Sequence, residues 1–304
     1  MRKTILVTGA SGFLGRELVK QLLQEEEHSV IAVTSQCDLL PHLLGHRPNF
    51  RLVHTLDLIN RKVGLSEGLD VVVNCAFPRT SEPHDLASGV CLTENLIGAI
   101  LDIGVGKLIN ISSQSVYSQK AKDPTDESAR PCPESLYGMA KFACERIVAT
   151  MCRGTDVEYS NVRMASLFGV EFHARLINRF VKSVLMDRPI VVVGGEQDVS
   201  YLAVEDAAAG IAAMIRHRRR WAPVYNLGNS DFISVLGLAE LVRGVAKEYT
   251  SKEAMIEVKN GNSDFSNLID SRRFREEFDW TPKCTIARMV RDAFRFYSRS
   301  TNLA

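Results

Sequence analysis

The chain has 304 residues, 45% of them hydrophobic and 24% charged, enough for a large core without staples and too ordinary for a disordered, collagenous or coiled-coil protein. Thirty-seven Lys and Arg against 36 Asp and Glu leave a formal charge of +1, which offers no field for gripping nucleic acid or an anionic membrane. No apolar run is read as approaching the roughly 18 residues of a membrane span, and seven scattered cysteines without CxxC spacing are read as reduced thiols, with Cys75, Cys91 and Cys144 inside apolar runs.

Met1 leads at once into the strand-like Thr4-Ile5-Leu6-Val7, leaving no room for a signal peptide, so a cytoplasmic protein is expected. Further strand-like runs lie at Val30 to Thr34, Arg51 to Leu56, Asp70 to Cys75, Lys107 to Ile111 and Glu158 to Arg163. Amphipathic stretches at Leu14 to Gln24, Leu86 to Ile103 and Leu136 to Met151 separate several of them. Strand and helix in alternation predict an α/β fold, a Rossmann-type doubly wound parallel sheet over residues 1–168. From Gly169 the rhythm turns irregular: a helix at Ala174 to Leu185, a strand at Ile190 to Val193, a run at Tyr201 to Val204, and helices near Leu236 to Val245 and Ile286 to Phe296. Residues 169–304 are read as a smaller α/β substrate-binding portion, some of it rejoining the first layer. The basic His217 to Arg220 after the apolar Ala207 to Ile215 reads as a solvated helix end.

Chemistry enters with Gly9, Gly12 and Gly15, between the first strand and the first helix. Bare backbone there can turn sharply and approach a pyrophosphate, whose charge meets unpaired N–H groups and the helix dipole. Tyr137 and Lys141, four apart in a helical pattern, share one face. A phenol of ordinary pKa near 10 is a weak base at neutral pH, and bringing it to about 7 needs about 4 kcal/mol, which a neighbouring ammonium can supply. Such a tyrosine exchanges a carbinol proton while a hydride moves to or from a nicotinamide. Ser113 lies 24 residues earlier, just past the strand ending at Ile111, where ligands of open α/β sheets sit.

The GxxGxxG spacing within TGASGFLG, with Asp57-Leu58, VVVNCA, ISSQSVY, YGMAK, Arg163, Val204-Glu205-Asp206 and Tyr225 to Gly228, resembles the extended short-chain dehydrogenase/reductase family of nucleotide-sugar epimerases, dehydratases and ketoreductases over nearly the whole chain. The resemblance implies Ser113, Tyr137 and Lys141 as the catalytic set, with Ser113 bonded to the reacting oxygen and Lys141 also on the nicotinamide ribose. It implies NAD(P) held by Gly9, Gly12, Phe13, Leu14, Gly15, Thr34, Ser35, Asp57, Leu58, Ala76 and Phe77, together with Tyr137 and Lys141. NAD-binding members carry an acid where this chain has Thr34, and no arginine replaces it, so NADP is slightly favoured over NAD.

Other departures bear on the substrate, expected to be a sugar nucleotide. Gln114 and Ser115 replace the Asp-Glu pair of 4,6-dehydratases, and Ser115 replaces the epimerising cysteine of the GDP-fucose synthase type, which disfavours both reactions. Ser166 stands where relatives have an asparagine, and the diphosphate-gripping arginine, expected near Val199, is missing; Arg175, Arg179 and Lys182 are alternatives, although a solvated basic helix face explains them as simply. Gln114, Ser115, Ser166 and Arg179 are carried forward as substrate candidates, His173 reads as polar or capping, and Trp280 as packing. The expected activity is hydride transfer at a sugar carbinol or ketone, as an epimerase or 4-ketoreductase. Alternatives are a carbonyl reductase on a non-nucleotide substrate and a non-catalytic cofactor-binding subunit. Neither metal nor nucleic acid nor membrane is expected as a partner. The apolar surfaces of Leu86 to Ile103 and Leu136 to Met151 predict a homodimer, as relatives pair these helices.

Overall fold

β-Branched residues favour the pleated, doubly covered strands of a parallel sheet, and seven such segments pair here. The computed structural model describes residues 2–25, 27–40, 45, 47–64, 68–120, 123–251, 253–261, 266 and 268–301. Strands β1 (Thr4–Thr8), β2 (Ser29–Thr34), β3 (Phe50–His54), β4 (Leu69–Asn74), β5 (Val105–Ser113), β6 (Glu158–Met164) and β7 (Val224–Leu227) form one parallel sheet in the order β7-β6-β5-β4-β1-β2-β3. The chain runs outward from β1 through β2 to β3, then returns to β4 on the other side of β1, so the winding reverses between β1 and β4. Beyond the carboxyl ends of those two strands a crevice opens, the place where such sheets hold ligands.

Helix α1 (Phe13–Gln24) covers one sheet face with Leu14, Leu18, Val19, Leu22 and Leu23. On the other face lie α3 (Pro83–Ile103) and α4 (Leu136–Met151), where Leu96, Ile97, Ile100 and Val148 pack on Leu6, Val72 and Leu108. Between β3 and β4, α2 (Thr55–Ile59) takes residues expected to be strand. His54 ends the strand because its Nδ1 accepts the Leu56 N–H, at 3.2 Å, and caps the helix. The expectation of no membrane-length apolar run also needs correcting. By length and composition alone the 21-residue α3 is apolar enough to cross a bilayer, yet its Leu86, Gly89, Thr93, Leu96, Ile97, Ala99 and Ile100 are buried inside the protein. Cys144 is buried, whereas Cys75 is half-buried and Cys91 exposed, for α3 turns Cys91 away from the sheet.

The C-terminal half interleaves with the first. A second core collects Phe180, Val181 and Val184 of α5 (Leu176–Leu185), Leu238 and Val242 of α7 (Val235–Ala246), and Met289, Val290 and Phe294 of α9 (Ile286–Thr301). Beside it the short strands Ile190–Val193 and Ile256–Lys259 pair in parallel. The Tyr201 to Val204 run holds only a two-residue strand, Leu202–Ala203, before α6 (Val204–Arg216) begins. Helix α6 packs on α1, β7 closes the sheet edge, and α8 (Arg272–Phe278) sets Phe274 and Phe278 edge-on to the Tyr225 ring, with Trp280 edge-on to Phe274.

A row of side-chain hydrogen bonds crosses the sheet near its carboxyl edge. Thr8 Oγ1 donates to Asn74 Oδ1 (2.6 Å), Asn74 Nδ2 to Asn110 Oδ1 (3.0 Å) and Asn110 Nδ2 to Asn161 Oδ1 (2.8 Å). Each pair is directly opposite in the register of β1, β4, β5 and β6. All four residues are buried, so each needs the next to satisfy it. Asn110→Leu orphans both neighbours and is expected to lower unfolding free energy by about 2 kcal/mol or more; urea melts of the two proteins check this.

Candidate active site

Four strands of that row each lead into a wall of one cleft of about 960 Å³. After β1 comes the glycine turn, with Gly9 at φ +63°, a backbone that side chains rarely adopt. A Cβ on Gly9 would stand 2.8 Å from the Ala76 backbone beyond β4, and one on Gly15 would stand 2.2 Å from the Gly9 carbonyl. No side chain caps α1, and its opening residues Phe13, Leu14 and Gly15 line the cleft. This bare, uncapped backbone with positive dipole is chemically suited to a dinucleotide pyrophosphate.

Thr34 is buried at the end of β2, its hydroxyl 2.6 Å from Ser11 Oγ and accepting the Gln36 N–H, so it ties the glycine turn to the neighbouring strand. Asp57 is exposed in the first turn of α2 and Leu58 is wholly buried. With Ser35 they lie at the ends of β2 and β3, outside the cleft walls. Ala76 contributes backbone, its N–H reaching Thr8 Oγ1 at 3.4 Å, while Phe77 lines the cleft.

From β5 come Ser112 and Ser113, then a 3-10 turn, Gln114–Val116, with the Ser115 N–H bonded to Ser113 Oγ (3.1 Å). Helix α4 places Tyr137 and Lys141 on the same cleft. Its approach is set by Gly138, where a Cβ would stand 2.1 Å from the Ser115 carbonyl. Ser113 lines the same cleft and acts to lower the pKa of the Tyr137 phenol. One turn beyond Lys141, the buried Glu145 accepts from Ser112 Oγ and from Arg163 Nε (3.0 Å) and Nη2 (2.8 Å), clamping α4 to β5 and β6.

The electrostatics differ from the expectation that Lys141 activates the phenol. Burial holds Tyr137 above its ordinary pKa, and the cations that act on it most are Arg79 and then Arg175. Lys141 points elsewhere: its ammonium donates to the Ile111 carbonyl and lies 4.4 Å from the Phe77 ring centre. Burial lowers its pKa, against the raising influence of Cys144, Cys75 and Glu145. Cys75 also lines the cleft, and burial pushes its thiol up to about 12, which removes it as a nucleophile at neutral pH.

A family model, the NAD dependent epimerase/dehydratase family, matches residues 5–228. The chain belongs to that family. It is 26% identical over 314 residues to UDP-glucuronic acid decarboxylase 1 of Arabidopsis thaliana, covering 96% of this chain and 70% of the relative. Among solved structures, UDP-glucuronic acid 4-epimerase of Bacillus cereus, in complex with UDP-glucuronic acid and NAD, superposes with a TM-score of 0.82 at 21% identity, covering 98% of this chain and 99% of the other. UDP-glucose 4-epimerase of Thermotoga maritima with UDP-glucose gives 0.81 at 22% identity, covering 98% and 99%.

Against this family background, Gln114, Ser115 and Ser166 all line the cleft. Gln114 Nε2 donates to Ser166 Oγ (3.1 Å), and its buried Oε1 has no protein partner. Arg179 does not reach the cleft: it lies exposed inside α5, whereas Arg175 caps that helix in extended backbone (φ −68°, ψ 144°) and turns inward. Lys182 stands over the Tyr297 ring, 4.6 Å from its centre, and His173 Nδ1 meets Tyr297 Oη at 2.7 Å, so neither serves this cleft. Arg79, Thr80, Ser81 and Phe172 were not among the sequence candidates, yet they line it too. Arg79 comes directly after Pro78, whose ring packs where a Cβ on Gly89 would stand 2.5 Å away.

Gly15→Val is expected to abolish binding of NAD and NADP alike, read by fluorescence titration with the reduced cofactors, while far-UV circular dichroism stays native. Burial holds the Tyr137 phenol above its ordinary pKa; Arg79→Met removes a lowering influence and is expected to move the phenol's titration to higher pH, read by ultraviolet difference titration of the wild-type and variant proteins.

Proposed function

We propose that the protein is an NAD(P)-dependent nucleotide-sugar epimerase, oxidising a sugar carbinol and reducing the ketone on its other face. The observation that carries this reading is the meeting of Ser113, Tyr137 and Lys141 with the glycine turn in one cleft. The absence of an acid–base pair at Gln114 and Ser115 supports it, since epimerisation through a ketone needs only the tyrosine. A bound nicotinamide would take up and return the hydride.

Ser113 holds the reacting oxygen and Tyr137 exchanges its proton with that same oxygen. Because burial keeps the phenol protonated, it is poised to donate to a ketone; taking a proton from a carbinol draws on the positive charge of Arg79 and Arg175. Lys141, fixed by the Ile111 carbonyl, is the group for the nicotinamide ribose, and the glycine turn for the pyrophosphate. Gln114 Oε1, buried and unpartnered, would accept a substrate hydroxyl.

Thr34 favours a second reading, a 4-ketoreductase drawing on NADPH. A neutral residue at the end of β2 does not repel a 2′-phosphate. The two readings part on the cofactor: an epimerase keeps NAD bound through turnover, whereas a reductase exchanges NADPH.

Tyr137→Phe is expected to lower turnover of nucleotide sugars by about 100-fold or more with cofactor affinity kept; equal turnover by the variant would remove the catalytic assignment. The exposed Cys91 of α3 and Leu136 and Met139 of α4 support a homodimer through this pair of helices, read by light scattering at micromolar concentration, where a monomeric mass contradicts it. Seven unpaired cysteines support action in the reducing cytoplasm.

A further inference from the structure

Phe172 stands between two rims of the cleft that the fold draws from separate strands. Its ring stacks on Phe13, the first residue of α1 after the glycine turn of β1, with centres 4.4 Å apart and planes 25° apart. On the loop that follows β4, the Arg79 guanidinium carbon lies 3.9 Å from the same ring centre. Phe172 belongs to neither rim, for it comes from the loop of residues 169–175 beyond β6. All three side chains line the cleft, so the stack bridges the crevice between the ends of β1 and β4, the path of a dinucleotide in such sheets.

The loop is fastened differently on its two sides. Toward the C-terminal core it is held by directed bonds: the buried Asn178 Nδ2 donates to the Gly169 carbonyl (2.9 Å) and the Phe172 carbonyl (2.8 Å), and Tyr297 Oη of α9 donates to the Val170 carbonyl (2.6 Å). Toward the crevice it is held by ring faces and by an ion pair of the exposed Glu171 with Arg16. Phe13 also packs on Gly169, where a Cβ would stand 2.4 Å from its ring. Ring faces part without orphaning a polar group, and an exposed ion pair adds little. Breaking the Asn178 bonds would strand a buried donor. When this loop moves, the contacts that give way are therefore those across the crevice.

We propose that Phe172 is a clasp across the cofactor crevice: it parts for the dinucleotide to enter or leave and shuts in between, so this one ring sets the rate of cofactor exchange. The proposal rests on the nicotinamide-dependent reading above and adds how the cofactor is kept. An epimerase that lost its reduced cofactor at the ketone stage would have no hydride to return. Phe172, stacked between Phe13 and Arg79, closes the way out during that stage.

The test is stopped-flow fluorescence. NADH and NADPH are mixed in turn with wild type, Phe172→Ala, Phe172→Leu and Phe172→Tyr, each freed of cofactor, and the bound reduced cofactor is then displaced by a large excess of its oxidised form. Thermal melts confirm that each variant is folded, and Phe172→Leu, which keeps apolar bulk without the stack, carries the comparison where Phe172→Ala does not fold. The Ala and Leu variants are expected to speed association and release together by about tenfold, with Kd held within about twofold, while Phe172→Tyr, which keeps the stack, exchanges like wild type. Unchanged rates in the Ala and Leu variants overturn the clasp and leave the nucleotide-sugar reading standing. So does faster release with unchanged association, which makes Phe172 an ordinary contact of the bound cofactor. If wild type binds neither NADH nor NADPH, both readings fall.

Discussion

The buried row from Thr8 through Asn74 and Asn110 to Asn161 is the constraint on which the rest of the site depends. A parallel sheet buried on both faces has little reason to carry amides in its interior unless they satisfy one another. Because each bond joins directly opposed residues, the row fixes the relative heights of β1, β4, β5 and β6 just before each strand ends. Each of the four strands then gives way to a wall of the cleft: the glycine turn, the Cys75 to Arg79 loop, the Ser113 turn, and Ala165 and Ser166. A slip of one residue in any of these registers would carry a wall away from the others.

Within that frame the charges are arranged by competition. Burial raises the Tyr137 phenol and lowers the Lys141 ammonium, each toward its neutral form. The Ile111 carbonyl and the Phe77 ring hold Lys141, so the spare positive charge near the phenol comes from Arg79 and Arg175. Arg163 is spoken for by Glu145 in a pair more than nine-tenths buried, which fastens α4 to the sheet. The cleft thus separates cations that hold the structure from cations that act on the phenol.

Much of this was legible in the sequence wherever local chemistry decides structure. β-Branched runs marked the sheet strands, and Leu136 to Met151 was read as a helix with the bounds it has. Gly9 and Gly15 stood out because their roles demand the loss of a side chain. Long-range placement was harder to read. Arg175 and Arg179 looked equivalent as basic residues four apart, and only the cap geometry sends one inward. Nothing in the spacing marked Arg79, whose position depends on Pro78 packing against Gly89 on a different element. The direction of Lys141 was missed for the same reason: four-residue spacing assigns a helix face and leaves the choice between a phenol and a strand carbonyl to tertiary packing.

Gly138 carries a consequence for how such an enzyme can diversify. Helix α4 meets the Ser115 carbonyl main chain to main chain, at a spot with no room for even a methyl group. The distance between the serine turn and the tyrosine is consequently written in backbone, insulated from whichever side chains happen to surround it. Drift at Gln114 or Ser166 can then reshape what the cleft welcomes without shifting Tyr137 against the serine turn, so a new lining is reachable by single substitutions that leave that spacing intact.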